Sequence, residues 1–220
     1  MDGTIVDTEP YWMSAETALV ESFGGVWTHE DGLTLVGQGL WHSARILRSR
    51  GVDMTDEEII DHLTLEVLGR VEGEIPWRPG ARALLTELRE RGVRTALVTM
   101  SMRNLAEHVV AHLGFDAFDF IVAGDDVAHG KPHPEAYLRA AELLGVDPTD
   151  CVAIEDSSPG VASAVASGAT TIGVPLHSAL SEGNGYHLWP TLDGRTVDHL
   201  AQTHAAGLPE AALDTPKDFA

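Results

Sequence analysis

The stretch CVAIEDSSPG, residues 151–160, couples a short apolar run to two adjacent carboxylates and then to a helix start near Pro159. Residues 151–155 read as a buried β-strand, and the helix that follows runs to about Ser167. Two carboxylates side by side at a strand end repel by ~4 kcal/mol at 4 Å and an effective dielectric of about 20. A bound cation removes that penalty, and hard oxygen ligands such as Glu155 and Asp156 suit Mg²⁺. The plainer reading is an acidic helix cap.

The same strand-then-helix rhythm recurs on both sides. Residues 93–98 (VRTALV) lead through Thr99-Met100-Ser101 into a helix over 102–113. Residues 120–123 lead through an acidic loop to a helix over 133–144, and 170–174 (TTIGV) form a fourth strand. Short apolar strands alternating with three-turn helices predict an α/β fold: a Rossmann-like parallel sheet with helices on both faces and ligands beyond the carboxyl ends of the strands. Residues 10–73 are instead helical throughout. Segments 10–23 and 40–50 have apolar residues at helical spacing, Thr28 with Asp31 opens a short helix, and Thr55 with Glu58 forms a capping box. Pro79-Gly80 marks the return to the alternating pattern, beginning with an amphipathic helix over 81–91. The expected organisation is a core of residues 1–9 and 79–195, a helical insertion of 10–78, and a C-terminal helix with a frayed tail over 196–220. Within the core, Leu188 to Leu192 is expected to add an edge.

A formal charge of −20 excludes a phosphate-backbone binder, which needs a basic face, and no basic stripe is present for an anionic membrane. No apolar run approaches the roughly 20 residues of a membrane span, so a soluble, cytoplasmic chain is expected. Cys151 is the lone cysteine and reads as a small buried hydrophobe. Of 14 basic residues 12 are Arg, which singles out Lys131 as a place where a compact ammonium is wanted.

Lys131 lies in HGKPHPE, where prolines on both sides of His133 stiffen the loop. Thr99, Met100 and Ser101 offer hydroxyls and backbone N–H groups at a helix start, a cradle for phosphate oxygens or simply a cap. His129, His133 and His177 match no zinc spacing. The opening residues MDGTIVDTEP form an acidic turn around Gly3. All these groups fall on one edge of the predicted sheet, which makes independent dull explanations improbable together.

In their order and spacing, Asp2-Gly3-Thr4, Thr99, Lys131 and Glu155-Asp156 make the chain similar to haloacid dehalogenase (HAD) superfamily phosphohydrolases. The nearest subgroup is that of β-phosphoglucomutase and phosphoglycolate phosphatase, and the resemblance covers residues 1–175. It implies a helical cap at 10–73 and a Mg²⁺-dependent attack on a small phosphorylated metabolite through an aspartyl phosphate. Asp2 would be the acid/base. Thr99, Met100, Ser101 and Lys131 would hold the phosphoryl oxygens. Asp2, Glu155 and Asp156 would bind Mg²⁺, and Gly37, Gln38, His42 and Arg45 would meet the substrate from the cap.

The resemblance also marks a departure. The family motif is D-x-D-G-T, and Met1 stands at x, so the nucleophilic Asp and its strand lie outside this sequence. Losing a central strand would remove four or five buried side chains worth roughly 1.5–3 kcal/mol each, comparable with a domain's whole stability. The expectation is therefore a natural start several residues upstream, after an apolar run ending in Asp. Phosphatase activity is favoured over a phosphohexomutase, because mutases of that branch carry His where this chain has Trp12. A non-catalytic phospho-ligand binder is the reading of the chain taken literally. A dehalogenase and a response-regulator receiver fit poorly. The substrate and the oligomeric state are left open.

Overall fold

The computed structural model describes residues 1–71, 75–181 and 185–207. Four helices come first: α1 (Glu9–Ser22), α2 (His29–Leu33), α3 (Leu40–Ser49) and α4 (Asp56–Val71). Then follow α5 (Ala81–Glu90), β1 (Ala96–Val98), α6 (Arg103–His112), β2 (Phe120–Val122), α7 (Glu135–Leu144), β3 (Val152–Glu155), α8 (Ser158–Ser167), β4 (Thr170–Gly173), β5 (His187–Leu188) and α9 (Val197–Ala206). Local chemistry accounts for the boundaries. Thr28 and Asp31 form a reciprocal capping box on α2, as Thr55 and Glu58 do ahead of α4. Gly145 and Gly168 close α7 and α8 in the left-handed conformation that glycine adopts without strain. Among the described residues no helix is long and apolar enough to cross a membrane.

The strands are parallel as expected, but they do not form one continuous sheet. β1 pairs with β2, and separately β3 pairs with β4 and β4 with β5. Among the described residues, β1 and β3 are each paired on one side only. Both strands line a mostly apolar slot of about 520 Å³, together with Leu84 and Leu88 of α5, Ala140 of α7 and Leu200 of α9. The expected parallel α/β arrangement is present, its described strands falling into two hydrogen-bonded groups with a strand-lined slot between them. Two details differ from expectation. The edge strand is His187–Leu188, one more rung follows as the Trp189 N–H donates to the Gly173 carbonyl at 2.8 Å, and Trp189 and Leu192 are buried. Cys151 is half-buried, its thiol 3.5 Å from the Asp147 carbonyl. The tail expectation for 208–220 lies outside the described residues.

Helices α1–α4 pack on one another, α4 lying against both α1 and α3. The chain enters and leaves this helical layer through two paired segments. The Asp7 N–H donates to the Pro76 carbonyl at 2.8 Å and the Arg78 N–H to the Ile5 carbonyl at 2.9 Å. Arg78 fastens that crossing to the core. Its buried guanidinium donates to the carbonyls of Gly3 (2.5 Å), Val174 (2.8 Å) and Pro175 (3.2 Å). One side chain therefore ties the first loop, the end of β4 and the return from the helices. Arg78→Met should leave three buried carbonyls unpaired and cost about 3 kcal/mol. Urea unfolding checks this, and a loss under about 1 kcal/mol would contradict the assigned role.

Candidate active site

The loops after β1 and β3, the first turn of the chain and the start of α1 converge on a pocket of about 80 Å³. Asp2 is part of its lining. One carboxylate oxygen accepts from the Thr8 hydroxyl at 2.5 Å and, at 3.4 Å, from the Trp12 indole N–H. The other accepts from the Ser101 hydroxyl at 2.6 Å and from the Thr99 hydroxyl at 3.4 Å. The acid is thus gripped from the helical side by α1 and from the core side by the loop after β1. Thr99 also accepts the Ser101 N–H at 3.1 Å, so its plain turn-capping role coexists with its place in the pocket.

Gly3 lets this turn approach β3. Its φ is +66°, and a Cβ there would fall 2.0 Å from a carboxylate oxygen of Asp156, which other residues could not tolerate. Asp156 is buried and accepts the Thr4 hydroxyl at 2.7 Å. Burial and then the neighbouring Glu155 push its pKa up to about 6, against the opposing pull of Thr4 and Lys131. From the helical side, Gly37 (φ +74°) lies against the loop after β3, where a Cβ would come within 2.5 Å of the Ser157 Cβ. Gly37 and Gln38 therefore reach the pocket.

Lys131 is held from three sides. Its ammonium forms a buried ion pair with Glu155, donates to the Val98 carbonyl at 3.3 Å and lies 5.2 Å from the centre of the Tyr137 ring. Tyr137 donates its hydroxyl to the same Glu155 oxygen. This revises one expectation. One Glu155 oxygen is engaged in fixing Lys131, so of the three expected metal carboxylates Asp2 and Asp156 are the two without a lysine or arginine partner among the described residues. Every donor at that point is an oxygen, and the burial that raises Asp156 is relieved by a divalent cation, so the residues present fit Mg²⁺.

Two other expected residues do not join the group. Arg45 is 67% exposed at the side chain and faces the Asp56 carboxylate at 3.7 Å, while His42 is exposed. The cause is helical periodicity: Ser43, Ala44 and Leu47 are the buried face of α3, which turns positions 42 and 45 outward. Leu40 and Ser43 take their place in the pocket. His177 pairs with Asp7 at 2.8 Å. His129, His133 and Glu135 cluster separately on the exposed side of the Lys131 loop.

The sequence reading gave Trp12 only as a mark against a mutase and Glu9 only as part of an acidic turn, and it missed Thr8, Glu16, Tyr137 and Arg78. For the α1 residues a signal existed: Glu9, Trp12 and Glu16 are spaced i, i+3, i+7, one helical face. That face turns two buried carboxyls into the pocket. Burial first, then Asp2 and Asp156, push Glu9 up to about 8; burial pushes Glu16 up to about 7, opposed by a hydrogen bond from the Trp27 indole.

A carboxyl raised in the folded state holds its proton more tightly there than in the unfolded chain. Its contribution is therefore present below the unfolded value of 4.5 and is lost as pH rises through about 8. Glu9→Gln should match the parent near about pH 5 and exceed its stability by at least about 2 kcal/mol near about pH 9 without divalent cations. Denaturant unfolding at the two pH values measures this, and equal stability at both would contradict the buried-acid account.

A haloacid dehalogenase-like hydrolase family model matches residues 1–168. Hexitol phosphatase B of Escherichia coli is 30% identical over 190 residues, covering 83% of this chain and 84% of that protein. The structure of CbbY from Rhodobacter sphaeroides in complex with phosphate is 29% identical with a TM-score of 0.82, covering 91% of this chain and 96% of that one. The β-phosphoglucomutase of Clostridium difficile is 25% identical with a TM-score of 0.80, covering 93% and 94% of the two chains. Together with the pocket at the carboxyl ends of the strands, these matches place the chain in the haloacid dehalogenase-like hydrolase family.

Proposed function

We propose that the chain is a Mg²⁺-dependent phosphatase that hydrolyses a small phosphorylated metabolite, a sugar or short-acid monophosphate, through an aspartyl-phosphate intermediate. The observation that carries this is the convergence of Asp2, Thr99, Ser101, Lys131 and Asp156 on one pocket beneath the helical layer. In this reading the helical residues 10–78 act as the cap.

Each group has a role its contacts support. Lys131 has three N–H donors, of which Glu155 and the Val98 carbonyl use two, leaving one for a phosphoryl oxygen. The hydroxyls of Thr99 and Ser101, now on Asp2, lie where they could turn to the same phosphoryl group. Asp2 would donate a proton to the leaving oxygen and then take one from the attacking water. Mg²⁺ held by Asp2 and Asp156 would supply charge neutralisation at the phosphoryl group. The attacking carboxylate would arrive on an extended segment in the slot between β1 and β3, where among the described residues each strand has an unpaired edge and the walls are mostly apolar.

A phosphohexomutase is the second reading, favoured by the likeness to β-phosphoglucomutase. Trp12 speaks against it: its indole is a donor only and offers no basic nitrogen beside Asp2. The test is a panel of sugar and acid monophosphates assayed with Mg²⁺, using the chain as given and a version extended by an apolar strand whose last residue, just before Met1, is Asp. The extended chain should release phosphate at least about 10⁴-fold faster than the same extension ending in Asn. Isomer interconversion without phosphate release would favour the mutase, and inactivity of both extended chains would contradict the phosphatase reading.

A further inference from the structure

The loop that presents Lys131 to the pocket carries a second group of metal-ligating side chains on its outer side. His129, His133 and Glu135 each place one candidate ligand atom within 4.8 Å of the others. The Glu135 Oε2 lies 2.8 Å from the His129 Nδ1 and 3.9 Å from the His133 Nδ1, and the two imidazole rings have centroids 4.7 Å apart. Donors on one zinc ion, each at about 2.0–2.2 Å in tetrahedral geometry, stand roughly 3.3 Å from one another. Small side-chain adjustments would therefore bring all three onto a single ion. His177 is not part of this group, since it pairs with Asp7. Glu135 takes the third position, which a pattern of histidines alone does not reveal.

The backbone around these ligands is held on several sides. Glu135 opens α7, and its carboxylate reaches back to accept the N–H groups of Ala128 at 2.7 Å and His129 at 3.0 Å. The His133 N–H donates to the Gly130 carbonyl at 3.1 Å, and the His133 carbonyl accepts the hydroxyl of buried Ser163 in α8 at 2.7 Å. Pro132 and Pro134 fix φ on either side of His133. Such ordering lowers the entropic cost of gathering ligands, and hydrogen bonds to a ligating carboxylate orient it toward the ion. The histidine side chains are 66% and 51% exposed, so an ion can enter directly and water can complete its coordination. Hydrogen bonds alone account for part of the arrangement: His129 clasps Glu135, and the His133 Nδ1 accepts the Glu135 N–H at 3.3 Å. Both bonds also turn a ring nitrogen toward the start of α7, where the carboxylate lies.

We propose that His129, His133 and Glu135 form a second metal site, for Zn²⁺ or another late first-row divalent ion, separate from the oxygen-lined position at Asp2 and Asp156. Two imidazoles and a carboxylate suit such ions, whereas Mg²⁺ takes oxygen ligands and keeps several waters. The ion takes the place of the proton between the His129 Nδ1 and Glu135, and each ring ligates in its neutral form. His129 and His133 flank Lys131 by two positions on either side, so a bound ion braces the loop from which Lys131 enters the pocket. The site is independent of the phosphatase reading.

Titration of the chain with Co²⁺ in saturating Mg²⁺ at about pH 7.5, followed by visible absorption, tests this. Mg²⁺ competes for oxygen-only positions, and Co²⁺ absorption changes when imidazoles replace octahedral water. One Co²⁺ per chain should bind, and Zn²⁺ should displace it. His129→Ala and His133→Ala should each weaken binding at least about tenfold, whereas Asp156→Asn should leave it within about twofold. Both substituted side chains are exposed, and the Glu135 clasp on the Ala128 N–H stays in place, so the variants keep the fold. Absence of a bound Co²⁺ spectrum overturns the proposal. Binding that survives both histidine substitutions also overturns it, assigning the ion to another pair such as His108 and His112, whose rings lie 4.2 Å apart on α6. Loss of binding in Asp156→Asn overturns it by moving the ion to the pocket.

Discussion

Uncompensated negative charge is the constraint around which this molecule is arranged. Asp2, Glu9, Glu16, Glu155 and Asp156 all line one pocket, and among the described residues there Lys131 is the one cationic side chain. Such crowding is tolerable only if each carboxylate is hydrogen-bonded, paired or neutralised. The structure uses a different remedy at each position. Hydroxyls of Thr8 and Ser101 hold Asp2, Lys131 and Tyr137 take Glu155, and burial keeps Glu9 and Glu16 protonated well above the ordinary carboxylate range. Among the described residues Asp156 receives a hydrogen bond from the Thr4 hydroxyl alone, and a divalent cation would offset its burial.

Geometry on the core side depends on the same economy of contacts. The stiff loop carrying Lys131 reaches across to the end of β3, and the first turn reaches it from the opposite direction because Gly3 has no side chain to intervene. Arg78 then locks this turn to the return from the helical layer, so the layer that covers the pocket and the loop that supplies Asp2 share one anchor. Between β1 and β3 the backbone has no such closure. Among the described residues, two half-paired strands and apolar walls bound a slot there.

Much of this was legible in the residues. Apolar spacing and capping pairs located all nine described helices to within a few positions, because those signals are local. The loop-by-loop order of Thr99, Lys131 and Asp156 was legible because strand ends in a parallel sheet share an edge. What escaped was set by tertiary contact. Glu155 and Asp156 look equivalent in sequence, and only the reach of Lys131 and Tyr137 separates an ion-pair partner from a free ligand. His42 and Arg45 were attractive as polar residues near a glycine-rich turn, but the buried face of α3 passes through Ser43 and Leu47. The division into two sheets depends on pairing partners, which strand-like composition does not specify.

The central claim is that the carboxylate cluster is built around a divalent cation at Asp2 and Asp156. Titration of the chain with Mn²⁺ as a paramagnetic stand-in for Mg²⁺, followed by electron paramagnetic resonance, tests it most directly. The account predicts one site per chain, displaced by Mg²⁺, retained in Glu155→Gln and weakened at least about tenfold in Asp156→Asn. Binding that is absent, or indifferent to Asp156→Asn, would contradict it.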